Sequence, residues 1–163
     1  MDMNGLLIAL SDSDKTQYNR EEFSKQSASQ KVFTAIWELE AEVNNGGFSQ
    51  YLLNSSGETA HFVVEALEAI QAPLTADICR RAIQTAFPTG LPSDPDTIQT
   101  AASDFPPDVE DQLNALDNEF YKYPNNLTRL LFAYVRRHPE EFGTLPAADD
   151  ELPGAPFIAS SSR

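Results

Sequence analysis

Cysteine is almost missing from this chain. Cys79 stands alone among 163 residues, so no intrachain disulfide can form. Its place between Ile78 and Ala82 in a helical pattern predicts a buried, structural thiol. Long apolar runs are missing too. No stretch approaches the roughly 18 apolar residues of a membrane span, and no membrane partner is expected. The first ten residues carry an apolar patch but neither a basic leader nor a small-residue cleavage site. A lone thiol and no leader point to the cytoplasm. Histidine is scarce, with only His61 and His138, and neither has a convincing serine or cysteine partner for nucleophilic catalysis. The chain is therefore expected not to be an enzyme and to need no cofactor. No alternating strand pattern, internal repeat or coiled-coil heptad is present.

The most telling scarcity is of positive charge. Between Val32 and Tyr121 there are fifteen acids and only two bases, Arg80 and Arg81, a net of −13. The flanks are nearly balanced, with five acids and four bases before Val32 and five of each after Tyr121. Direct binding of nucleic acid is disfavoured because such a surface repels phosphate. Arg129, Arg136 and Arg137 are too few for a basic stripe. Excess acid often serves only solubility, but its concentration in one folded segment favours a cationic partner.

What is present is enough for a core, since 41% of residues are hydrophobic and 10% aromatic. The expected fold is all-α: one compact domain of about seven to nine uneven helices joined by Pro, Gly and Asn turns. Residues 1–20 read as a short helix and loop, 21–142 as the acidic helical domain, and 143–163 as a loose tail onto which Phe157 and Ile158 could dock. The spacing predicts a helix from near Glu21 to Val43, with Val32, Ile36, Leu39 and Val43 on one stripe. Others are predicted from Glu58 to Ile70, from Pro73 to Phe87, from Asp96 to Ser103, after Pro107 with Val109, Leu113, Leu116 and Phe120 inward, and from Leu127 to Arg137.

The first long helix runs into Asn44-Asn45-Gly46-Gly47. Two glycines offer positive φ at little steric cost, and the asparagines tolerate left-handed geometry. Phe48, Tyr51 and Leu52 follow at helical spacing, so the stretch reads as an angled helix-corner-helix. Successive backbone N–H groups there could cradle an anion, but Glu38, Glu40 and Glu42 close by favour a structural corner. Gln50 and Asn54 are expected to bond to the corner's backbone. Glu38/Glu42 with His61/Glu65 form two i, i+4 pairs that could hold a metal in facing helices. The Glu-x-x-His spacing of di-metal bundles is missing, however, so a solvated face is expected and no metal.

The run from Glu40 to Gly57, Glu-Ala-Glu-Val-Asn-Asn-Gly-Gly-Phe-Ser-Gln-Tyr-Leu-Leu-Asn-Ser-Ser-Gly, resembles a bacterial DNA-mimic protein family whose type member is a small acidic neisserial protein. Ala66 to Ile70 and Leu116 to Tyr121 extend the likeness, over roughly residues 30 to 137. The resemblance implies an all-α fold, a homodimer, and an acidic surface that imitates duplex DNA and occupies a helix-turn-helix transcription regulator. Charge permits this. At one charge per roughly 1.7 Å of duplex, an excess of thirteen matches on the order of 22 Å of duplex, and a dimer about 44 Å, against operator half-sites about 34–36 Å apart. The partner is then a basic DNA-binding protein. The acidic face expected to meet it comprises Glu38, Glu42, Glu58, Glu65, Glu68, Asp94, Asp96, Asp104, Asp108 and Asp111. Asn44, Asn45, Gly46, Gly47, Phe48, Gln50, Tyr51 and Asn54 form the structural motif that orients it. Two alternatives use the same charge: an immunity-type inhibitor of a basic nuclease toxin, and a metal-dependent enzyme using Glu38, Glu42, His61 and Glu65.

Overall fold

The computed structural model describes residues 1–54 and 57–151. Among these, every regular element is a helix: α1 (Met3–Ser11), α2 (Ala28–Leu53), α3 (Gly57–Ala60), α4 (Val63–Ala69), α5 (Pro73–Ala86), α6 (Pro95–Ala102), α7 (Pro107–Phe120), α8 (Leu127–Arg136) and α9 (Pro139–Phe142), with 3-10 turns at Phe23–Lys25 and Asp149–Glu151. The helix starts follow local chemistry. Proline opens α5, α6, α7 and α9, where its missing N–H would have no intrahelical partner anyway. The side chains of Asp2, Ser27, Asp94 and Asn126 accept from the first turns of α1, α2, α6 and α8, as N-caps do.

Helix α2 is the axis of the molecule and packs against α3, α4, α6, α7 and α8. Its stripe of Val32, Phe33, Ile36, Leu39 and Val43 is fully buried. Trp37 stacks on Phe33 with ring centroids 5.5 Å apart. Beyond the corner, Phe48, Tyr51 and Leu52 re-enter the same core beside Phe120 of α7. Cys79 is buried in α5, as its spacing predicts, and burial pushes its thiol well above the ordinary range.

Three expectations are corrected. Helix α2 begins at Ala28 and not near Glu21, because Ser27 caps it and the Gln26 side chain folds back to the Gln17 and Glu21 carbonyls. The helix expected from Glu58 to Ile70 is two pieces. It breaks at His61–Phe62, where the Phe62 N–H turns back to the Thr59 carbonyl and the His61 ring is bonded to the Pro92 carbonyl at 2.7 Å. The loose tail does not begin at Gly143. Leu145 and Ala148 pack on the core, the Met1 amino group pairs with Asp149, and Arg136 holds Glu151. The expected docking of Phe157 and Ile158 lies outside the described residues. Met3, Leu6, Leu7 and Leu10 of α1 lie in the common core against α8.

Candidate acidic interaction surface

The corner inside α2 is real, and it is made by one glycine more than the other. Gly46 has φ −158° and ψ 21°, and Gly47 has φ 76° and ψ −174°. The first is an extended φ open to any residue, whereas the second lies where L side chains are strained. A Cβ on Gly46 would come nearest to the Gln50 side chain, whose amide end can move away though its Cβ lies at 2.9 Å, but one on Gly47 would run into the Asp117 carboxylate.

That carboxylate is the corner's main fastener. The break leaves the Phe48 N–H without its intrahelical acceptor, and Asp117 Oδ1 accepts it at 2.8 Å. Three further bonds join the corner to α7 and the turn after it. Ser49 Oγ donates to Glu110 Oε2 at 2.7 Å, Tyr121 Oη donates to the Val43 carbonyl at 2.8 Å, and Asn44 Nδ2 donates to Tyr123 Oη at 2.6 Å. Tyr123 Oη donates onward to Glu40 at 3.1 Å. Asp117 is 7% exposed, and burial raises its carboxyl pKa although the Phe48 amide works against this.

Gln50 and Asn54 do not bond to the corner's backbone as expected. Both amides donate to Glu42 Oε2, at 2.9 and 2.7 Å. Glu42 is therefore half-buried and engaged inside its own helix pair. Glu38, expected on the acidic face, turns inward. Its Oε2 is shut off from solvent and has no hydrogen-bond partner among the described residues. Burial pushes its carboxyl up to about 7, the Thr59 hydroxyl opposes this, and the charges of Glu42 and Glu58 add to it. Glu40 is likewise pushed to about 7 by burial, against the Tyr123 bond. Periodicity put Glu38 on the polar side of α2; it could not show that α3 covers that side.

The remaining acids divide clearly. Arg80 pairs with Glu68 at 3.1 Å, and Arg81 pairs with Asp77 at 2.9 Å and with Glu119 through both terminal nitrogens. The two bases of the acidic segment are thus spent on Glu68, Asp77 and Glu119. The Arg81 guanidinium holds Glu119 below the usual carboxylate range. Asp94 is exposed but serves as the α6 cap, and the Thr97 hydroxyl and amide lower its pKa. Glu58, Glu65, Asp96, Asp104, Asp108 and Asp111 are exposed, and none is in an ion pair with another described residue. Asp96 and Asp108 sit in the first turns of α6 and α7, where a negative charge suits the helix dipole. Sequence reasoning missed Asp117 and Glu110 as fasteners. The only signal was their spacing of seven with Tyr121 four further on, and this shares one stripe with nothing to name its target.

The proposed metal grouping of Glu38, Glu42, His61 and Glu65 is not assembled. His61 is tied to Pro92, and among the described residues no three His, Cys, Asp or Glu side chains gather where they could share an ion. An open groove of about 640 Å³ runs between α5 and α7, lined by Arg81, Pro88, Asp108, Val109 and Leu116 among others. No described helix is long and apolar enough to cross a membrane.

A family model described as DMP19-like protein matches residues 24–138, from just before α2 to just after α8. The chain belongs to the DMP19-like family. This is the DNA-mimic family that the Asn-Asn-Gly-Gly-Phe stretch resembles, and the match covers the corner, its fasteners and all the exposed acids named above. No curated protein and no solved structure matches the chain. Helix α1 and the segment after Pro139 lie outside the DMP19-like match, although both pack on its core.

Proposed function

We propose that this DMP19-like chain is an acidic DNA mimic. In this reading it binds the DNA-contacting face of a basic DNA-binding protein, of the helix-turn-helix class, and blocks that protein's access to DNA. One observation carries the reading: six carboxylates, those of Glu58, Glu65, Asp96, Asp104, Asp108 and Asp111, stand exposed with no ion pair among the described residues, while both bases of the acidic segment are consumed elsewhere. Unpaired carboxylates on helices and on the turn after α6 present charge as a phosphate backbone does, and a partner's lysines and arginines would exchange one for the other. A homodimer would double the length of the imitation. Association of this kind is steered by long-range attraction and weakens with salt.

The test is capture from cell lysate at low and high salt, with wild-type protein beside a Glu58→Lys/Glu65→Lys/Asp111→Lys variant. A DNA-binding protein should be retained by the wild type at low salt and lost with salt or charge reversal. An identical capture profile for both proteins rejects the reading. Capture of a basic nuclease in place of a transcription regulator would make the chain an inhibitor of that enzyme.

A further inference from the structure

We propose that Asp117 is a positioning residue for the acidic surface: by taking the Phe48 N–H it sets the angle of the corner against α7 and so fixes where the carboxylates of α7 point. This rests on the DNA-mimic reading. Helix α7 has two working edges. Glu110, Asp117 and Tyr121 stand at i, i+7 and i+11, close to one line along the helix, and each bonds to the corner: Glu110 to Ser49, Asp117 to Phe48, Tyr121 to the Val43 carbonyl. The line spans about 16 Å at 1.5 Å per residue. Asp108 and Asp111 lie about 100–160° around the helix from it, at 100° per residue, and both are exposed. One edge is bolted down and the other is presented.

The corner needs an external bolt because its own backbone ladder is broken. Gly46 and Gly47 depart from helical φ/ψ between the two halves of α2, so the Phe48 N–H stands at the start of the second half, where a first-turn donor has no acceptor in its own helix. Asp117 meets this need from a neighbouring helix. It lies directly over Gly47, where no side chain fits, and it is nearly inaccessible to solvent. A partner reading a pattern of charges is sensitive to their spacing, whereas a merely soluble acidic protein is not.

The test compares Asp117→Leu, which is close in shape but cannot accept, with Asp117→Asn, which keeps an acceptor oxygen. A third variant, Asp108→Lys/Asp111→Lys, removes the presented charge. The probe is a synthetic amphipathic helix bearing lysines and arginines along one face. Its affinity is measured against salt at a temperature where circular dichroism shows each variant folded. Asp117→Leu should weaken binding several-fold and flatten its salt dependence, with Asp117→Asn close to wild type. Asp117→Leu that is less stable but binds with unchanged affinity and salt dependence, while Asp108→Lys/Asp111→Lys binds weakly, overturns the positioning role alone. Asp108→Lys/Asp111→Lys that binds as the wild type does overturns the acidic-face reading and the positioning role with it. Should Asp117→Leu fail to fold, Tyr121→Phe removes only the outer tie to Val43. A smaller weakening in the same sense is then expected, and unchanged affinity and salt dependence overturn the proposal.

Discussion

Gly47 holds φ at 76° directly beneath a buried carboxylate. A side chain there meets both backbone strain and a collision, each of a kind that costs on the order of 1–3 kcal/mol. Gly47→Ala should therefore lower unfolding free energy by at least about 2 kcal/mol in urea titration, whereas Gly46→Ala should change it by less than about 1 kcal/mol. Equal losses at the two positions would contradict the assignment. Glu38 makes a prediction of opposite sign. Burial pushes its carboxyl from the ordinary value of 4.5 up to about 7 in the folded protein, so the folded state binds a proton that the unfolded chain has already released. The destabilisation is absent below about pH 4.5, grows between there and pH 7, and is complete above. Glu38→Gln should then stabilise the protein at pH 8 by on the order of 1–2 kcal/mol, allowing for partial exposure, and leave it nearly unchanged at pH 4.5. A stabilisation independent of pH would show that shape and not charge is responsible.

The helices owe their ends to short polar side chains, some of them distant in sequence. Helix α5 opens on Pro73 without a cap from its own N-terminal neighbour. Asn125, in the turn before α8, supplies it: its Oδ1 accepts from the Leu74 and Thr75 N–H groups, both at 3.0 Å, and from the Thr75 hydroxyl at 3.3 Å. Asn125→Ala should cost about 1 kcal/mol, as loss of an N-cap does. It should also speed amide exchange at Leu74 and Thr75 before it affects α2. Exchange unchanged at those two amides would refute the cap. Nothing in the sequence singles out Asn125, because a cap supplied from fifty residues away leaves no local pattern. The Pro-led starts of α5 and α7 and the buried stripe of α2 were legible, since both follow from local geometry and 3.6-residue periodicity. The split between α3 and α4 was not. His61 is drawn to Pro92, and that contact exists only once α6 has docked.

Across the whole molecule, a net charge of −14 opposes compaction. Salt at moderate concentration should screen that repulsion and raise the melting temperature, the reverse of the effect expected on the proposed partner binding. A melting temperature that falls over the same range would mean that the pairs of Arg80 and Arg81 outweigh the bare acids. The balance of charge along the chain, the all-helical class, the corner and the membership of a DNA-mimic family were determined by the sequence alone, because composition, hydrophobic period and glycine conformational preference are local properties. Tertiary structure decided which acids face outward. Glu38 and Glu42, placed by periodicity on the exposed face, are drawn in by Thr59, Gln50 and Asn54. Asp117, one acid among many in the chain, becomes the bolt of the corner. A carboxylate's role depends on what packs over it, and that is settled only when α3 and α7 close on α2.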